Sequence, residues 1–120
     1  MRRNLVVQTR RPADLAAFVA GLETPGHNVV LVSGLDDCKA LLRTQPPDLM
    51  ILDPEPGTDA RRAVTDLLLV NAAVPTAVAS PLPAAEFHES TEGLGILTAL
   101  PQTPDAADAA RLLQLLDALN

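Results

Sequence analysis

Tryptophan and tyrosine are missing from this sequence, and Phe18 and Phe87 are its only aromatic residues. The core must therefore be built from Leu, Val, Ile and Ala, and there is no platform on which nucleobases or a flavin ring could stack. Basic residues are scarce: 9 Lys and Arg stand against 15 Asp and Glu, a net charge of -6 and a pI near 4.6. Attraction to nucleic acid or anionic lipid through bulk electrostatics needs a basic footprint and is excluded. The one cysteine, Cys38, makes no internal disulfide and has no second Cys or nearby His at a metal-ligand spacing, which points to a reducing compartment, most simply the cytoplasm. No apolar run reaches the length of a membrane span, and the start, Met1-Arg2-Arg3-Asn4-Leu5-Val6-Val7, meets Gln8, Thr9, Arg10 and Arg11 too soon for a signal peptide. At 120 residues, 48% of them hydrophobic, the chain has material for a single domain over 1–120.

What is present alternates. Leu5-Val6-Val7 reads as a strand, and Pro12 opens a helix with Leu15, Phe18, Val19 and Leu22 at helical spacing. After Pro25-Gly26-His27 comes a strand over 28–32, then a helix capped by Ser33 with Cys38, Leu41 and Leu42 on one face. Pro46-Pro47 stops that helix, and Asp48-Leu49-Met50-Ile51-Leu52-Asp53 is a buried strand with a carboxylate at each end. A loop, Pro54-Glu55-Pro56-Gly57, leads into a helix over 59–70. A strand over 75–80, a short helix over 83–90 around Phe87 and a strand over 95–100 follow. The last helix starts at Thr103-Pro104-Asp105 and buries Leu112, Leu115, Leu116 and Leu119. Five strands alternating with five helices imply an α/β protein with a parallel sheet covered on both faces, a flavodoxin-like three-layer sandwich with strand order 2-1-3-4-5. In such a sheet function sits beyond the carboxyl ends of the strands, which gathers Gln8, Thr9, Asp53, Ser80 and Leu100 at one rim.

With that rim in view, the chain resembles the CheY-like receiver domain of two-component response regulators over nearly its whole length. The resemblance is carried by the stretch Asp48 to Asp53, by Pro56-Gly57-Thr58-Asp59, by Val74-Pro75-Thr76-Ala77-Val78-Ala79-Ser80, and by Pro101. It implies that Asp53 stands at the phosphoacceptor position and Ser80 at the hydroxyl that senses the phosphoryl group. It also implies a cis bond between Leu100 and Pro101. Several expected groups are replaced. The two acids that hold a divalent cation after the first strand are Gln8 and Thr9, the lysine before the fifth-strand proline is Leu100, the aromatic switch residue is Leu97, and the loop after Asp53 is one residue short.

Phosphoryl transfer depends on cations that neutralise charge spread over three oxygens, which Asp53 alone does not supply. Magnesium prefers carboxylate oxygens in octahedral array, so one carboxylate with an amide and a hydroxyl binds it weakly. Glu55 or Arg10 are the residues positioned to substitute. The expectation is no dedicated cofactor or metal, with Asp53 a weak magnesium candidate.

Each residue also has a plainer role: Asp53 accepting from loop backbone N–H groups, Ser80 satisfying a strand end, His27 and His88 solvated, Cys38 a small buried apolar group, and Asp105, Asp108 and Asp117 forming the solvated face of the last helix. Three functions remain. The first is a pseudo-receiver, not an enzyme, that signals through protein contacts, with a histidine kinase or another signalling protein as partner and a homodimer through the fourth and fifth helices. The second is a working phosphorelay receiver phosphorylated on Asp53. The third is a flavodoxin-like ligand carrier or small enzyme. Glycine-rich nucleotide loops are absent, which counts against the third.

Overall fold

The computed structural model describes residues 2–119. Its elements alternate: β1 (Asn4–Gln8), α1 (Ala16–Glu23), β2 (Asn28–Val32), α2 (Leu35–Thr44), β3 (Leu49–Leu52), α3 (Ala60–Val70), β4 (Thr76–Ala79), α4 (Ala84–Ser90), β5 (Thr98–Leu100) and α5 (Ala106–Ala118). The strands form one five-stranded parallel sheet in the order β2-β1-β3-β4-β5, the flavodoxin-like arrangement expected from the alternating pattern. Period-two alternation divides the side chains between two cores. Leu5, Val7, Leu49, Ile51, Ala77 and Ala79 meet Phe18 and Leu22 of α1 and Ala109, Leu112 and Leu116 of α5. Val6, Met50, Leu52 and Val78 meet Cys38, Leu42, Val64, Leu67 and Phe87 on the other face.

On the first face α1 and α5 approach closely at Gly21. A Cβ built there would lie 2.9 Å from the Ala109 Cβ and 3.0 Å from the Ala106 Cα, so only glycine fits. This contact sets the rotation of α5. Its buried residues are Asp108, Ala109, Leu112, Leu113 and Leu116, whereas Leu115 and Leu119 of the expected stripe are exposed.

Several boundaries differ from the sequence expectation for local reasons. Pro12 does not open α1; residues 12–15 make a turn in which the Leu15 N–H donates to the Pro12 carbonyl, and the helix starts at Ala16. Gly34, not Ser33, is the N-cap of α2, because the Ser33 carbonyl is engaged by the Gln8 amide. In β5 only Thr98–Leu100 are extended, since Gly95 has a positive φ and keeps the chain bent before them. α5 starts on a reciprocal capping box, Asp105 accepting from the Asp108 N–H and Asp108 from the Asp105 N–H, which buries Asp108 beside Arg111 instead of solvating it. His27 is half-buried and accepts from the Arg3 N–H at 3.0 Å.

Candidate functional site at the carboxyl rim of the sheet

β1 lies between β2 and β3, and backbone bonds carry the pairing one step past the strand ends. The Thr9 N–H donates to the Val32 carbonyl and the Asp53 N–H to the Gln8 carbonyl, both at 2.9 Å. That register brings Gln8, Thr9 and Asp53 together at the rim, all three buried. Gln8 turns toward β2, its Nε2 donating to the Ser33 carbonyl at 2.9 Å. Thr9 turns toward β3, its hydroxyl donating to Oδ2 of Asp53 at 2.7 Å.

Asp53 has a second partner that the sequence reading missed. Nε of Arg11 donates to Oδ2 of Asp53 at 2.9 Å and Nη2 to Oδ1 at 2.8 Å, a two-pronged guanidinium–carboxylate pair. The Asp53 side chain is 5% exposed and that of Arg11 30%. The Arg11 guanidinium has its pKa raised, chiefly by the hydrogen bond to Asp53 and against the desolvation that opposes it. The same guanidinium reaches across the rim to the Gln102 carbonyl and, at 3.4 Å, to the Thr103 hydroxyl. The loop after β1 is thereby tied both to the end of β3 and to the loop after β5. The Arg11 N–H donates to the Thr9 hydroxyl at 3.0 Å, which closes the β1 loop on itself.

These contacts correct two expectations. Arg10 and Glu55 do not substitute at Asp53; they pair with each other at 2.6 Å in an exposed position. The chain bends at Arg10, and the turn closed by the Thr9 hydroxyl on the Arg11 N–H places the Arg11 guanidinium on Asp53 while Arg10 reaches Glu55. The acceptors of Asp53 are filled by side chains of Thr9 and Arg11, not by loop N–H groups.

The remaining rim positions divide between core and surface. Ser80 sits at the end of β4 and borders, with Asp53, Arg61 and Gln102, a cleft of about 430 Å³. Its hydroxyl accepts from the Leu82 N–H at 3.1 Å. Leu100 is buried in the core on the α1 and α5 side, and Leu97 packs half-buried against that same core. Pro101 is exposed, and its bond to Leu100 is trans, contrary to the expected cis bond. Trans is the ordinary preference of an X–Pro bond, and with Leu100 packed inward no side chain here has to be presented to the rim.

Among the described residues no three or more His, Cys, Asp and Glu side chains gather to hold a metal ion. The residues do not fit magnesium either: both oxygens of Asp53 already accept from cationic or hydroxyl donors, and Gln8 donates to backbone. A second cleft of about 490 Å³ lies between β1, the start of α2 and the loop after β3, lined by Gln8, Arg10, Asp36, Asp37 and Glu55 among others. Its walls contain no aromatic side chain.

No protein-family model matches the sequence, and no curated protein matches it. Solved structures do match. The receiver domain of the Francisella response regulator 1452 superposes with a TM-score of 0.81 at 15% identity, covering 99% of this chain and 100% of that one. The chemotaxis response regulator CheY4 of Vibrio cholerae gives a TM-score of 0.80 at 12% identity over 97% of this chain and 99% of that one. A response regulator from Desulfuromonas acetoxidans gives 0.79 at 19% identity over 100% of both. The chain has the receiver fold. Within the receiver fold Asp53 ends the central strand, where the sequence resemblance put a phosphoacceptor, and here an arginine of the same chain holds it.

Proposed function

We propose that this chain is a pseudo-receiver, a binding module and not an enzyme, which signals through protein contacts without magnesium-dependent phosphorylation. The observation that supports this most is the Arg11–Asp53 pair. A carboxylate attacks phosphorus only when an oxygen is free and the incoming charge is neutralised by cations directed at the phosphoryl oxygens. Here the guanidinium in contact with Asp53 is already spent on the nucleophile, and Arg61 across the cleft is turned to the Ser90 and Glu92 carbonyls. Gln8, Thr9 and Leu100 add no charge, and Leu97 has no polar tip to exchange between solvent and interior. The phosphorelay alternative requires Arg11 to leave a pair made by two hydrogen bonds and largely withdrawn from water.

The contact surface we assign to a protein partner is the face of α4 and α5. Leu115 and Leu119 are exposed on α5, and Glu86 and Glu89 are exposed on α4. An acidic surface interrupted by leucine suits a partner that is basic and apolar, such as a signalling protein. It suits a homodimer through α4 and α5 less well, because a second copy would bring like charges together. A cytoplasmic setting agrees with the free, buried Cys38, and no helix of the described residues is long and apolar enough to cross a membrane.

The test is an NMR titration with magnesium and beryllofluoride, a phosphoryl analogue. The expected result is no shift at Asp53, Ser80 or residues 97–104. Saturable shifts across those positions would establish a working receiver.

A further inference from the structure

The two edges of the sheet are built differently. β5 is three residues long and ends at Pro101. β2 is Asn28-Val29-Val30-Leu31-Val32, paired with β1 alone through an unbroken register. Edge strands that stay unpaired usually carry lysine, proline, a bulge or an inward charge. β2 carries none of these, and Val30 and Leu31 are 39% and 47% exposed. The Asn28 N–H donates to the Arg3 carbonyl and the Val32 carbonyl accepts from the Thr9 N–H, so alternate residues 28, 30 and 32 turn their backbone groups toward β1. Val29 and Leu31 turn theirs to the open edge.

We infer that β2 is the edge through which two copies of this chain associate, antiparallel about a twofold axis at Val30. In that register Val29 lies opposite Leu31 of the second copy and exchanges both backbone hydrogen bonds with it, while Val30 faces its own counterpart. The charges identify a second copy as the occupant. α2 packs on β1 and α3 with Leu41 and Gln45 of its last turns beside Asn28 and Val30, and it carries Asp36 and Asp37 in its first turn and Arg43 in its last. Among the described residues none of these three, nor Lys39, belongs to an ion pair. The twofold sets the acidic turn of one α2 toward the basic turn of the other, with the helix dipoles opposed. On the opposite face α1 has no charge from Ala16 to Leu22, and exposed Ala16, Ala17 and Ala20 leave room for close approach. This inference does not depend on the state of Asp53.

Sedimentation equilibrium of the full chain should show a concentration-dependent dimer. Leu31→Lys should weaken it by about tenfold or more, since the apolar burial is lost at both symmetry-related positions; Leu31 is already exposed, so at concentrations too low for the dimer the thermal unfolding of the variant should match wild type. Reversing Asp36 and Asp37 to Arg should weaken the dimer, and adding Arg43→Asp should restore it. Val30→Cys should form a disulfide-linked dimer under mild oxidation, because facing residues of a non-hydrogen-bonded pair have Cα atoms about 4.5 Å apart. Leu31→Cys should cross-link far more slowly, and buried Cys38 should not compete. A strict monomer at every concentration, which would leave the edge to a different partner, overturns the inference. So does a dimer that Leu31→Lys leaves intact.

Discussion

Replacing Arg11 by methionine keeps most of the side-chain stem and removes the guanidinium that holds Asp53 at 2.8 and 2.9 Å. Breaking a buried ion pair from one side costs roughly 3–5 kcal/mol, because the remaining charge is left without a partner. Arg11 is 30% exposed, so water enters its place, and Thr9 still donates to Oδ2. The expected cost is therefore lower, about 2 kcal/mol, which for a chain of this length lowers Tm by about 8 °C. Asp53→Asn removes the charge that Arg11 compensates, and the double variant leaves no orphaned carboxylate. Its cost should fall short of the sum of the single costs by roughly 1–2 kcal/mol. Urea denaturation of the four proteins, read by far-ultraviolet circular dichroism, gives this coupling directly. If the two substitutions add within about 0.3 kcal/mol, the pair does not form in solution and the reasoning fails.

Two further effects follow from other parts of the structure. Gly21→Ala should destabilise by about 1–3 kcal/mol despite the better helix propensity of alanine, because its Cβ meets the Ala109 Cβ at 2.9 Å; a neutral or stabilising result in thermal unfolding would show that α1 and α5 are free to separate. Burial, reinforced by Asp37, pushes the Cys38 thiol up to about 12 from 9.0. The folded state therefore keeps the thiol neutral where the unfolded chain ionises. Stability from this group is complete below the unfolded value and is lost as pH rises toward the folded one, by roughly 1 kcal/mol at one unit above the unfolded value. Urea midpoints should show that alkaline slope in wild type and lose it in Cys38→Ala.

The fold was legible because the alternation of apolar runs with helical spacing repeats five times, and the central strand, Leu49–Leu52, is apolar throughout. Helix starts were less legible. Ser33 and Pro12 carry the right side chains for their expected roles, but the Ser33 carbonyl serves Gln8 and Pro12 opens a turn. The α5 stripe was displaced because the Gly21–Ala109 contact, a tertiary feature, chooses which leucines face inward. At the site, the strand-end residues Gln8, Thr9 and Asp53 could be placed from topology alone. Arg11 could not be found by matching positions to a family, since its role is a replacement. Its signal was local: it stands two residues after Thr9, whose hydroxyl closes a turn on the Arg11 N–H.

With both oxygens engaged, Asp53 is unavailable to a phosphoryl donor, and intact-mass spectrometry after incubation with acetyl phosphate and magnesium tests this. Wild type should remain unmodified, as should Asp53→Asn. A variant combining Gln8→Asp and Thr9→Asp with Arg11→Ala returns two carboxylates to the rim for a cation and frees Asp53, and it should gain one phosphoryl group. Rapid, magnesium-dependent modification of wild type that disappears in Asp53→Asn would show that Arg11 releases Asp53 and would establish a working phosphoacceptor.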